Sequence, residues 1–185
     1  MRWQALFADL EGQFAAAEAA EFAAEVRDRT RREMGRLRLV DRLRAHEQAA
    51  VTVTVAELGT LPGVVASVGA DWLLLEEPGG HEVVIPIAAV TGVSGLTPRS
   101  AEPGSEGPVG ARLGLGYPLR ALVRDRARVV LTLRDATTVA GTLDAVGADF
   151  TEIAEHPLDE RRRVAAVRAV RAVPFSALLI VRSSP

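Results

Sequence analysis

Residues 51–77, VTVTVAELGTLPGVVASVGADWLLLEE, lie 78 positions before residues 129–155, VVLTLRDATTVAGTLDAVGADFTEIAE, and the two stretches align without a gap. Nine of the 27 positions are identical. Four are consecutive, Val68-Gly69-Ala70-Asp71 against Val146-Gly147-Ala148-Asp149. An aromatic follows in both, Trp72 and Phe150, and Gly63 matches Gly141. Ten residues are then inserted in the second copy, and Ile85-Pro86-Ile87 matches Val173-Pro174-Phe175 at an offset of 88. Order kept over a whole strand–turn–strand span is more than shared composition. Two copies at this period are too few and too long for a solenoid. The chain therefore reads as two homologous small domains.

Inside each copy the signals are those of strands. Val51, Val53 and Val55 alternate with Thr52 and Thr54, the pattern of a half-buried strand. Glycines then separate short apolar runs at 64–68, 72–75 and 83–87. In the second copy the runs are 129–133, 139–143, 150–153, 172–175 and 178–181. The shared turn has a structural reading. Gly69 and Gly147 permit a positive φ or a close approach, and Asp71 and Asp149 are expected to brace the turn through a side-chain oxygen.

The rhythm hydrophobic-x-Gly-x-x-x-x-Val-Gly-x-Asp-aromatic, followed by a hydrophobic-Pro-hydrophobic strand, resembles that of Sm-like (LSm) domains. It reads Pro62 to Trp72 with Val84 to Val90 in the first copy, and Ala140 to Phe150 with Val173 to Leu178 in the second. The resemblance covers roughly two-thirds of the chain and implies, for each copy, a short helix leading into a bent five-stranded SH3-like barrel. Residues 118–127 would supply that helix for the second copy and 36–48 for the first. It also implies that strand four of one barrel pairs with strand five of another, within the chain or between chains. The RNA-contacting residues of the family are not kept. Leu73 and Thr151 stand where the base-contacting Asn would be. Ile85-Pro86 and Val173-Pro174 stand in place of Arg-Gly, and the Lys and His of the bacterial RNA-chaperone branch are missing.

Around the repeat, four segments emerge: helical 1–48, a first Sm-like barrel 49–97, a flexible linker 98–112 and a second barrel 113–185 with its leading helix. The fold class is α+β, mainly β. Trp3, Phe7, Leu10 and Phe14 recur at helical spacing and continue through Phe22 and Val26. Ala-rich 15–24 favours helix, and Gly12 and Gly35 are weak points. The aromatic row Trp3, Phe7, Phe14, Phe22 is expected to dock on a barrel or to form a helical dimer seam. The stretch 98–112, PRSAEPGSEGPVGAR, offers almost nothing to bury.

Composition narrows the function. The 185 residues carry a formal net charge of -2, so this is no basic packaging protein. No run of 18 uncharged apolar residues is present, and the N-terminus is not of signal-peptide type, so no membrane association is expected and a cytoplasmic location is the default. Cysteine is absent, which excludes disulfides and thiolate chemistry. Residues 51–93 hold five acids and no Arg, a surface that repels phosphate. Basic clusters lie elsewhere. Arg29, Arg32 and Arg36 stand among acids on the long helix, and Arg161, Arg162 and Arg163 in the insertion. Alternating signs favour a solvated, salt-bridged helix face, with contact to a partner or to nucleic acid as the other use.

His46, His81 and His156 have no metal-ligand spacing, and no nucleophile–base set or phosphate-binding glycine motif is found. The expectation is a non-catalytic assembly or adaptor protein without cofactor or metal. It would act through homo-oligomerisation or intramolecular barrel pairing and contacts with an unspecified protein partner. The alternative is an RNA-binding regulator using the Arg-rich surfaces; DNA binding is disfavoured for want of a helix-turn-helix.

Overall fold

Alternating Val and Thr at 51–55 produces the first strand, and the same pattern recurs along the chain. The computed structural model describes residues 2–157 and 167–183. Helix α1 spans Arg2–Met34 and α2 spans Leu39–Arg44. The first five strands are β1 (Ala50–Val55), β2 (Gly59–Val68), β3 (Trp72–Glu76), β4 (Glu82–Pro86) and β5 (Val90–Ser94). Helices α3 (Gly107–Gly110) and α4 (Gly116–Arg124) follow. Then come β6 (Arg128–Leu133), β7 (Thr138–Val146), β8 (Phe150–Glu155), β9 (Ala169–Pro174) and β10 (Leu178–Ser183). A one-turn 3-10 helix joins β4 to β5 and another joins β9 to β10.

The chain divides into two units, residues 1–37 and 38–185. In the first, α1 runs without interruption through Gly12 and stops at Met34, where the Gly35 N–H closes on the Arg31 carbonyl. Nothing else in that unit is large enough to cover a helix face. Phe7, Phe14 and Phe22 are accordingly 61%, 71% and 70% exposed. No helix is long and apolar enough to cross a membrane, among the described residues.

In the second unit the duplication is visible pair by pair. β1 and β2 pair antiparallel with Thr52 opposite Pro62, and β6 and β7 with Val130 opposite Ala140. A bulge falls between Val65 and Ser67 on β2 and between Leu143 and Ala145 on β7, each again 78 apart. Trp72 faces Pro86 and Phe150 faces Pro174. The turns are built alike. Gly69 N–H bonds the Trp72 carbonyl at 2.9 Å, and Gly147 N–H the Phe150 carbonyl at 2.9 Å. A Cβ on either glycine would strike the aromatic ring that follows; close approach, not positive φ, is what these glycines allow. The Asp71 carbonyl accepts from Ile87 N–H at 2.8 Å, and the Asp149 carbonyl from Phe175 N–H at 2.7 Å. Main-chain bonds hold the corner. The expected side-chain brace is not made by either aspartate among the described residues, and both are exposed.

The strands do not form two closed barrels. They form one open sheet in the order β5-β1-β2-β3-β4-β10-β6-β7-β8-β9. Each half has the same internal order, fifth-first-second-third-fourth. The halves merge because β4, the fourth strand of the first copy, pairs with β10, the fifth of the second. Val84 faces Val181 and Val83 faces Arg182. Two apolar cores follow, and the joint is stitched through both. Leu179 and Ile180 of β10 pack in the first core, while Trp72 and Val84 pack in the second.

Candidate functional site

The β4–β10 joint is locked by charge as well as by pairing. Arg182 meets Glu77 through two bonds, Nε to Oε2 and Nη2 to Oε1, both 2.9 Å, the bidentate geometry that guanidinium and carboxylate favour. Arg134 donates to the Ser176 carbonyl at 2.8 Å and to the Ala88 carbonyl at 3.0 Å, clasping the 3-10 turns of both halves together. Among the described residues, the sheet then ends on two strands with a single neighbour each. β5 is the fifth strand of its half and β9 the fourth of its half, the same two kinds of edge that meet at the internal joint. On β9, Ala169 to Ala172 are exposed, Val170 to 59%.

A second assembly of side chains holds α2. Asp41 is fully buried, and its carboxylate accepts the Arg38 main-chain N–H at 2.9 Å, capping the helix start. Arg38 and Arg44 both bond Asp41 and both reach Glu106, at 3.0 and 3.2 Å. Burial pushes the Asp41 carboxyl upward, but the Arg38 hydrogen bonds and the two guanidinium charges outweigh it and hold it below its ordinary range. Glu106 is also held low, first by its own main-chain N–H and then by Arg38. Glu106 lies within the stretch read as a flexible linker. That stretch is tied down there, and again where Ala101 N–H bonds the Asp41 carbonyl at 2.9 Å. His46 is buried: it accepts from Thr97 N–H at 2.9 Å through Nε2, and its Nδ1 faces the Arg42 carbonyl at 2.7 Å. This histidine pins the end of the first β segment to α2.

A cavity of about 260 Å³ opens where both halves meet the start of α4. Asp71 comes from the first turn, Ala148 from the second turn and Phe175 from the second 3-10 helix. Residues 112–117 and Arg120 complete it. The loop is positioned by Trp72, whose indole N–H donates to the Leu113 carbonyl at 2.8 Å while Ala70 N–H reaches the same oxygen.

Several residues singled out in the sequence fall in plain surroundings. Arg29 pairs with Glu33 at 3.2 Å, Arg32 bonds the Asp28 carbonyl at 3.3 Å, and Arg36 is exposed. Gly69, Asp71, Gly147 and Asp149 are brought to the two matching corners. Arg161, Arg162 and Arg163 lie outside the described residues, as does the side chain of Trp3. His156 is buried, with Nε2 at 2.8 Å from the Thr142 hydroxyl. Asp41, Glu106, Tyr117 and the Arg112–Arg120 pair were not singled out. The chain matches no known protein family, no curated protein and no solved structure.

Proposed function

We propose that this protein is a non-catalytic assembly or adaptor protein, built on two fused Sm-like units, that joins further copies of itself edge to edge. The observation that carries the reading is the β4–β10 joint. The chain already contains one fourth-to-fifth-strand union and ends on one free strand of each kind. An unpaired edge is a template for another strand. A joint between copies would set β9 of one chain against β5 of the next, with Ala172 opposite Val93 and Arg171 opposite Ser94 by analogy with the internal pairs. Such an interface is head-to-tail: it closes into rings if the rotation allows and otherwise extends.

The external joint lacks the charge lock of the internal one. The counterpart of Arg182 is Ser94, the counterpart of Arg134 is Ala56, and the glutamate equivalent to Glu77, Glu155, is occupied by Arg171 of its own chain. Association is therefore reversible and concentration-dependent. Sedimentation velocity over a hundredfold concentration range tests this. Rising mass with concentration, abolished by Ala172→Lys on the β9 edge and strengthened by Ser94→Arg with Ala56→Arg, is the expected result. A chain that stays monomeric throughout, with or without the two arginines, would defeat the proposal.

A further inference from the structure

Asp71 and Arg120 line the same small cavity with opposite charges, yet they form no ion pair, and neither they nor Arg112 has another charged partner among the described residues. The Asp71 carboxylate lies over Gly114, about 3.5 Å from where a Cβ would project, and the Arg120 guanidinium lies over Gly116, 3.2–3.4 Å from the corresponding point. A side chain at Gly116 would press on the Arg120 guanidinium, whereas one at Gly114 would meet Asp71 at ordinary contact distance. Leu113, Leu115, Tyr117 and Phe175 add apolar and aromatic residues to the charged groups of the lining. The start of α4, whose dipole favours negative charge, is at the same end as Arg120.

From this geometry we infer that the cavity binds a free α-amino acid with an apolar side chain. The carboxylate of such a zwitterion faces Arg112 and Arg120, its ammonium faces Asp71, and its side chain lies against Phe175 and Tyr117. A guanidinium pair suits a carboxylate or a phosphate equally. The carboxylate of Asp71 decides between them, because it asks for a cation on the ligand, which a zwitterion carries and inorganic phosphate lacks. Because the walls come from both halves of the sheet, a bound molecule stabilises their joint. This inference is independent of edge-to-edge assembly.

The test is thermal unfolding and Trp72 fluorescence of the full chain, in a Trp3→Phe background, with four probes: phenylalanine, its amide, N-acetylphenylalanine and inorganic phosphate. At tenfold saturation phenylalanine is expected to raise the midpoint by roughly 3–6 °C and to perturb the Trp72 emission, with little effect from the other three. Arg120→Gln and Asp71→Asn, both exposed and outside the apolar cores, should each weaken binding at least tenfold without lowering the midpoint of the free protein. Two results overturn the inference: no response to phenylalanine, or a response to N-acetylphenylalanine or phosphate that equals it.

Discussion

The two halves of the sheet share every register and both bulges, yet the first adds a buried charge clamp to the apolar seating of its leading helix. Asp41 and Leu119 are both fully buried. The second half seats an apolar side chain in a hydrophobic core beside Leu115. The first seats Val40 and Leu43 of α2 in its own core and, beside them, a carboxylate surrounded by Arg38, Arg44 and, across the chain, Glu106. The first helix thus adds a satisfied buried charge to an apolar seat of the kind that holds the second. What the frame demands is a filled, satisfied site.

The largest effects test that statement. Leu119→Ala should lower stability by about 4 kcal/mol, since it leaves an unfilled cavity in the second core. Asp41→Ala should cost about 3 kcal/mol for another reason: it removes the buried acceptor of the Arg38 main-chain N–H and of both guanidinium groups, leaving Glu106 as their remaining carboxylate. Denaturant titration of both gives the comparison. A near-zero cost for Asp41→Ala would mean that the charge clamp is ornamental.

A second variant exchanges one chemistry for the other. Asp41→Leu with Arg44→Leu replaces the charge clamp by apolar side chains, and replacing a buried ion pair by packed apolar residues is often neutral or stabilising. We expect stability within about 1 kcal/mol of the natural chain near pH 7. The difference emerges in acid. The folded Asp41 carboxyl titrates below its unfolded value, so its contribution is complete above the unfolded value and is lost as pH falls through the folded one. The natural chain should therefore lose stability below about pH 4, and the double variant should lose less there. Equal acid sensitivity in the two would move the origin of the effect away from Asp41.

The smallest effects come from the corners, where the halves agree. Gly69→Ala and Gly147→Ala each push a methyl group into the following ring and should cost a similar ~1–3 kcal/mol. A large inequality between them would mean that the corners are not equivalent.

These contrasts also mark what the sequence makes legible. The strands and the glycine–aromatic corner leave periodic or repeated apolar signals that can be read from Val51 to Glu77 against its partner, and Pro118, Leu119, Leu122 and Val123 mark the leading helix of the second copy. Strand pairing between the copies follows only from the Sm-like resemblance. The charge clamp leaves no such signal. Asp41 sits among alternating charges and looks like a solvated acid. Glu106 sits in a Pro- and Gly-rich stretch tied down by ion pairs and a main-chain bond from Ala101, neither of which an apolar pattern announces. The side-chain role expected of Asp71 and Asp149 failed because main-chain bonds already close those corners, and that freed Asp71 to face the cavity. The cavity itself gathers four separated stretches, and its loop is set by bonds to the Leu113 carbonyl, a main-chain atom that no side-chain pattern announces. The sheet is open because β4 and β10 spend their edges on each other.

That fusion has an arithmetic consequence. Since every polypeptide contributes its five-stranded modules two at a time, any closed circle of chains would contain an even number of modules. Sealed seams would alternate with reversible ones around it, so dilution would release whole polypeptides, always with a module pair intact.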